Sequence, residues 1–117
     1  MHVFRLHMLD RVAGQLERYM DLLSARQRLV ASNIANADTP GYHTQDIDFE
    51  REFLNAVGGS PQVVEPADLK VKNDGNNVSL DRESRLLAEN ALRFQLAAQL
   101  MKQQLSKVRA AIQEGKS

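Results

Sequence analysis

The last third of the chain carries a regular spacing of apolar residues. They recur at alternating intervals of three and four, at Leu87, Ala91, Phe94, Ala98, Met101, Leu105, Val108 and Ile112. A heptad seam of this kind is typical of a helix that packs lengthwise against another helix. No glycine or proline interrupts residues 81–114, Asp81 is suited to cap the start, and Gly115 is suited to end the helix. The pattern predicts one helix over residues 81–115.

The first third follows the same rhythm. Its apolar positions are Leu9, Val12, Leu16, Tyr19, Leu23 and Val30, with one break at Arg26. Pro40 disfavours a helical conformation at Thr39, so we expect a helix over residues 1–37. A further apolar stripe in the C-terminal helix, formed by Leu92, Leu96 and Leu100, makes its apolar face wider than one partner helix can cover.

Two such helices are expected to pair antiparallel and to complete their core by assembly with neighbouring subunits. The residues expected at helix interfaces are Leu16, Leu23, Val30, Leu87, Phe94, Met101, Leu105, Val108 and Ile112.

The middle of the chain, residues 38–80, contains all three prolines and four of the six glycines. Residues 46–53 alternate like a strand, but they fit equally a short helix whose apolar side holds Phe49, Phe53, Leu54 and Val57. The spacing of four favours the helix. Three segments resemble short strands, at residues 63–64, 69–72 and 77–80. The polar cluster at residues 73–76 predicts a hairpin turn between the last two.

These elements predict a mainly α fold with long N- and C-terminal helices in an antiparallel coiled coil. The irregular middle segment is expected to contain a short β-hairpin. A length of 117 residues suits one domain, so we expect a single subunit over residues 1–117.

The formal net charge of zero hides an uneven distribution. Residues 37–80 carry a net charge of −5, whereas residues 1–36 carry +2 and residues 81–117 carry +3. A neutral total argues against nucleic acid as the main partner. Basic ends around an acidic middle suit head-to-tail or side-by-side packing, although solvated helix faces explain them equally well.

Candidate chemical sites are few. The chain has no cysteine, and its three histidines lack the spacing of metal ligands. Asp46, Asp48 and Glu50 resemble the start of a calcium loop, but Arg51 stands where such a loop needs glycine. No phosphate-binding or nucleophile motif is present. We therefore predict no catalytic, cofactor or metal site, and not an enzyme.

The most distinctive stretch is residues 31–42, ASNIANADTPGY. Asn33 and Asn36 lie at the end of the first helix, where their amides can bond to the following loop or to an adjacent chain. The next four residues fit a type II turn, with Pro40 second and Gly41 third.

This stretch resembles the N-terminal signature of bacterial flagellar rod, hook and hook-associated proteins. The continuation at residues 46–49, the segment at residues 74–83 and the short length narrow the resemblance to the proximal rod proteins. The resemblance implies that the terminal helices form the inner coiled-coil layer of an axial tube. The assembly motif that it implies is Asn33, Ile34, Asn36, Thr39, Pro40, Gly41 and Tyr42.

The resemblance also implies a function and partners. A rod subunit of the flagellar basal body would transmit torque from the MS ring to the distal rod and hook, on the periplasmic side. The implied partners are other copies, FlgC-, FlgF- and FlgG-like rod proteins, a FliE-like adaptor, the MS ring protein FliF and the flagellar type III export apparatus. Export without a cleaved signal agrees with an N-terminus that lacks a signal-peptide pattern and with no apolar segment long enough to span a membrane.

Two alternatives stay open. One is another proximal rod protein, of the FlgC type. The other is a cytosolic coiled-coil adaptor or export chaperone.

Overall fold

The computed structural model describes residues 2–55 and 58–116 and is mainly helical. In chain order its elements are α1 (His2–Ala35), β1 (Asp46–Ile47), α2 (Phe49–Leu54), β2 (Val63–Val64) and α3 (Leu80–Lys116). The long helices α1 and α3 pack side by side in a molecule of 69 × 24 × 17 Å. The prediction of two long terminal helices that pack together, with a small antiparallel sheet in the middle, is confirmed. No helix among the described residues is long and apolar enough to cross a membrane.

Polar contacts at intervals along the hairpin fix the antiparallel pairing of α1 and α3. They join Arg5 to Glu114 (2.5 Å), the Leu9 carbonyl to Gln104 (2.9 Å), Gln27 to Asn90 (3.1 Å) and Asn33 to Glu83 (2.7 Å). We call the end where α1 leads into the middle segment and α3 begins the junction end. The opposite end, which holds the N-terminus of α1 and the C-terminus of α3, is the free end.

The boundaries of α3 differ slightly from those predicted. The Ser79 hydroxyl accepts a hydrogen bond from the Arg82 backbone N–H (3.2 Å), so Ser79 caps the helix. Asp81 lies in the first turn, and the prediction that it is the cap is wrong. The helix also continues through Gly115 to Lys116.

The middle segment folds back onto α1. Asp48 caps α2 by accepting a hydrogen bond from the Arg51 backbone N–H (3.2 Å). Phe49 and Phe53 pack edge-on against Tyr19, with ring centroids 5.4 and 5.5 Å away. The helix predicted here is confirmed, but Leu54 is 72% exposed rather than packed on its apolar side. Val57 lies outside the described residues.

The two-stranded sheet is not the predicted hairpin, although the strand predicted at residues 63–64 is confirmed as β2. It pairs β1 with β2 in antiparallel register, with Asp46 opposite Val64 and Ile47 opposite Val63. The hairpin expected from residues 69–72 and 77–80 is wrong, because neither segment forms a strand. Only its turn forms, closed by hydrogen bonds from the Lys72 N–H to the Asn76 carbonyl (2.8 Å) and from the Gly75 N–H to the Lys72 carbonyl (2.9 Å).

The face of α3 that meets α1 also differs from the predicted seam. The buried residues of α3 repeat every seven positions and are small or polar: Glu83, Asn90, Ala97, Gln104 and Ala111. The predicted apolar seam runs along one border of this line. The contact face is therefore turned by about one residue from the one that the apolar spacing indicates.

Candidate assembly site

The side chain of Asn33 is the centre of the junction end. It is completely buried. Its Nδ2 donates to the Gln45 carbonyl (2.8 Å) and to Glu83 Oε1 (2.7 Å). Its Oδ1 accepts from the Gln45 N–H (3.0 Å) and the Tyr42 hydroxyl (3.1 Å). Both donors and both acceptor positions of the amide are thus used within the chain, which avoids the cost of a buried unpaired polar group.

Glu83 connects Asn33 to a chain of buried charges. Its Oε2 accepts from Arg82 (2.7 Å), and Arg82 in turn donates to Asp46. Arg26 binds the same Asp46 carboxylate through two hydrogen bonds of 2.9 Å each. Two arginines and two carboxylates alternate along this row of side chains, so the formal charges of the four groups cancel. These ion pairs connect α1, β1 and the first turn of α3.

The surroundings favour the charged form of both central groups. Burial alone would raise the pKa of Asp46, but the hydrogen bonds from Arg26, the Ile47 N–H and Arg82 lower it below its ordinary value. Burial would lower the pKa of Arg82, yet its hydrogen bonds to Glu83 and Asp46 raise it. Asp46 and Arg82 are thus held in their charged forms, and each member of the ion network has a partner of opposite charge.

A second buried asparagine fastens the turn after α1. Asn76 is completely buried, and its Nδ2 donates to the carbonyls of Asn36 and Thr39 (2.9 Å each). Its Oδ1 accepts from the Val78 N–H (2.8 Å). The Asn36 side chain donates to the Ser32 carbonyl (2.9 Å), which caps the end of α1 locally.

Asn77 fastens the next part of the same loop. Its Oδ1 accepts from the backbone N–H (2.6 Å) and the hydroxyl (2.9 Å) of Thr44. Its Nδ2 donates to Glu65 (2.8 Å), which also contacts His43 (3.0 Å). Side chains from one loop thus replace the backbone ladder that a hairpin would have formed.

Two glycines allow the loops to approach closely. Gly41 has φ of 74° and Gly75 has φ of 85°. The Tyr42 N–H donates to the Thr39 carbonyl (3.2 Å), as expected for the predicted type II turn, and the Gly41 N–H donates to the Asp74 carbonyl (2.9 Å). A Cβ on Gly75 would lie 3.3 Å from the Gly41 Cα, which is closer than ordinary packing.

The residues of the predicted assembly motif separate into two groups. Asn33 is buried, and Asn36 and Tyr42 are half-buried, with their polar atoms directed into the junction. The other four are exposed: Ile34, Thr39, Pro40 and Gly41. We call the buried network around Asn33, Asp46, Asn76, Asn77 and Glu83 the polar junction.

Sequence reasoning missed most of this network. Asn76 and Asn77 were assigned to a hairpin turn and its strand, and Arg26 only to a break in the heptads. A basic residue inside an apolar seam was the available signal, because burial of an arginine requires a carboxylate partner.

The predicted interface residues are likewise distributed between the core and the surface. Leu23 and Val30 are buried between the helices, and Leu16, Met101 and Val108 are half-buried. Four others on α3 are exposed by 39–51%: Leu87, Phe94, Leu105 and Ile112. They form what we call the first flank of α3.

A second flank lies on the other side of the contact line. Leu92, Leu96 and Leu100 are each more than half exposed. Two of them, Leu96 and Leu100, line a groove of ≈ 430 Å³ together with Leu16, Tyr19 and Phe53. Partner helix α1 covers only the centre of the apolar face of α3, and both flanks remain open.

Comparison with known proteins places these features in a family. The model of the family described as "Flagella basal body rod protein" matches residues 20–43, which include the whole assembly motif. The flagellar basal body rod protein FlgB of Salmonella typhimurium (strain LT2) is 34% identical over 137 residues, covering 92% of this chain and 99% of that protein.

Two further relatives agree. The FlgB proteins of Yersinia ruckeri and Escherichia coli (strain K12) are 31% and 30% identical, each over 92% of this chain and at least 99% of their own length. The resemblance to proximal rod proteins is thereby confirmed. The chain belongs to the FlgB family of flagellar basal body rod proteins.

Proposed function

We propose that the chain is a structural subunit of the proximal rod, and that it transmits torque from the MS ring to the distal rod and hook. One observation carries the proposal: the polar groups of the junction bind one another, whereas both apolar flanks of α3 lie uncovered. A subunit of this kind completes its core by packing against neighbours. The FlgB relatives supply the setting in which such neighbours occur.

The proposed neighbours are other copies, FlgC-, FlgF- and FlgG-like rod proteins, a FliE-like adaptor and the MS ring protein FliF. The flagellar type III apparatus would export the chain without signal cleavage to the periplasmic side of the basal body. The chain would then complete its folding on assembly.

Within the assembly motif, the two groups of residues are proposed to act differently. The exposed group consists of Ile34, Thr39, Pro40 and Gly41, and it is available to neighbouring subunits. Asn33 is not, since its amide is saturated inside the subunit. We therefore assign Asn33 to the shape of the junction rather than to direct contact between subunits.

The first flank of α3 provides the test of this function. Replacement of Leu105→Asp together with Ile112→Asp puts two charges on side chains that are 51% and 44% exposed. Because neither residue is buried in the isolated subunit, its fold should survive, whereas burial of two carboxylates against a neighbour is strongly unfavourable. We expect loss of swimming in soft agar and loss of the subunit from purified basal bodies.

A matched control uses the solvent side of the same helix. Gln95→Asp together with Gln113→Asp adds the same charge at exposed positions on the side of α3 that is opposite to its contact line with α1. This variant should swim and assemble like the wild type. Normal basal bodies in the Leu105→Asp, Ile112→Asp variant would refute the proposed role of the flank.

A further inference from the structure

The large apolar side chains of α3 do not occupy the centre of its contact with α1. The contact line of α3 consists of the residues that are buried there, Glu83, Asn90, Ala97, Gln104 and Ala111. At about 100° per residue, the first flank lies about 70° around α3 from this line. Alanines and polar side chains thus stand where the amphipathic pattern of a helix normally places its large apolar residues.

Apolar burial favours a different rotation of α3. The four side chains of the first flank, Leu87, Phe94, Leu105 and Ile112, are exposed in the isolated subunit. A turn of α3 about its own axis would pack them against α1 in place of alanines and amides. Because the stabilisation from apolar burial grows with the area buried, an interaction other than apolar packing keeps the first flank outward.

Hydrogen bonds from the contact line provide this interaction. Asn90 Nδ2 donates to Gln27 Oε1 (3.1 Å), and Gln104 Nε2 donates to the Leu9 carbonyl (2.9 Å). A turn of α3 would break both hydrogen bonds and would cover the Gln27 amide with apolar side chains. A polar group that is buried without a partner destabilises the fold, so the two bonds oppose the turn.

The polar junction fixes only the start of α3. Glu83, in the first turn of the helix, binds Asn33 (2.7 Å). Asn90 and Gln104 lie one and three heptads further along α3. Buried polar residues in coiled coils select one alignment of the helices at a cost in stability, and these two amides are placed to extend the alignment beyond the junction.

We propose that Asn90 and Gln104 are positioning residues that fix the rotation of α3 and thereby hold its first flank outward, towards neighbouring subunits. The rotation is a property of the isolated chain, whereas the use of the flank by neighbours rests on the proposed function. The subunit gives up apolar burial within itself and retains apolar surface that assembly can bury. A local departure from the apolar pattern of this kind is expected where function requires it.

Thiol labelling tests the rotation, because the chain has no cysteine of its own. One cysteine is introduced by Leu105→Cys in the first flank or, in a separate chain, by Leu96→Cys in the second flank. With Asn90→Ala and Gln104→Ala added, α3 should turn its first flank towards α1. Labelling of Leu105→Cys should then slow severalfold and labelling of Leu96→Cys should become faster, since the reaction requires an accessible thiol.

Two further pairs of changes serve as controls. Gln27→Asn with Asn90→Gln exchanges the two amides and keeps a hydrogen bond between them, so both cysteines should label as in the chain without these changes. Gln95→Ala with Gln113→Ala introduces two alanines on the side of α3 opposite to its contact line. It controls for the higher helix propensity of alanine and should leave both rates unchanged. Circular dichroism checks that the helices persist.

Two results of the alanine changes at the contact line would overturn the inference. One is unchanged labelling of both cysteines, and the other is a change in the same direction at both, which indicates looser pairing of the helices rather than rotation. An amide exchange that labels like the alanine variant would overturn it as well. These results leave the proposed function untouched, since that function fails instead if the Leu105→Asp, Ile112→Asp variant still forms normal basal bodies.

Discussion

At the residue scale, Asn33 shows why an amide occupies a fully buried position. Its side chain pairs with both the N–H and the carbonyl of Gln45, as a neighbouring strand would, and still binds Tyr42 and Glu83. An apolar residue of similar size would leave these groups unpaired, at about 1–3 kcal/mol for each buried one. The asparagine substitutes for secondary structure where the backbone turns away from α1.

Asp46 makes the stability of the subunit depend on pH. Its pKa is lower in the fold than the ordinary value of 3.8, which the unfolded chain retains, so the unfolded state binds the proton more readily. The contribution of the carboxylate is therefore complete well above pH 3.8 and is lost as pH falls through the lowered pKa. We expect Asp46→Asn to lower the free energy of unfolding by about 3 kcal/mol near neutral pH, because Arg26 and Arg82 lose their shared partner.

The measurement is urea unfolding of both chains between neutral pH and pH 3. The stability of the wild type should fall more steeply in acid than that of Asp46→Asn, so the two curves should converge. Asp38→Asn, at an exposed carboxylate without an ion-pair partner among the described residues, should parallel the wild type. Parallel curves for the wild type and Asp46→Asn would contradict a role for this carboxylate in acid sensitivity.

At the element scale, the apolar pattern of the sequence predicts where the long helices lie, but it does not predict which face of α3 contacts α1. Apolar periodicity correctly predicted both long helices, because a run of three-and-four spacing has no other regular solution. The same periodicity placed the contact face of α3 about one residue away from the line of residues that is buried against α1. The residues that face α1 are alanines and hydrogen-bonded polar groups such as Asn90 and Gln104, which a search for apolar residues passes over.

The prediction of a hairpin in the middle segment was wrong for a related reason. Its turn at residues 72–76 follows from local chemistry and was predicted correctly. The adjoining strands do not form, since Asn76 and Asn77 bind loops that lie 33–40 residues earlier in the chain. Contacts between segments so distant in sequence cannot be inferred from local spacing.

Ala111 tests whether small residues set the distance between α1 and α3. It is completely buried, whereas its neighbour Ala110 is exposed. Ala111→Leu should lower the free energy of unfolding by about 1–3 kcal/mol, because the larger side chain forces the helices apart. Ala110→Leu adds the same atoms on the solvent side and should change stability by less than about 0.5 kcal/mol. Urea unfolding compares the two, and equal effects would show that the helices do not approach closely there.

At the scale of the whole molecule, the stabilising contacts are concentrated at one end. The buried apolar side chains Leu22, Leu23, Val30 and Val78 lie towards the junction, as do the ion network and the paired asparagines. Towards the free end, α1 exposes Val3, Phe4 and Met8. The polar links to α3 that the structure describes there include the Leu9–Gln104 hydrogen bond and an exposed ion pair between Arg5 and Glu114. An exposed ion pair contributes little stability.

This asymmetry predicts a gradient of local stability along the 69 Å axis. In the isolated subunit, amide hydrogens of residues 3–12 and 105–115 should exchange much faster than those of residues 22–33 and 83–97, because local opening costs less where few apolar side chains are buried. Hydrogen exchange read by mass spectrometry resolves these segments. In purified basal bodies the free end should become protected, since neighbours then cover its apolar side chains. Uniform protection along both helices of the isolated chain would show that the hairpin is complete without assembly.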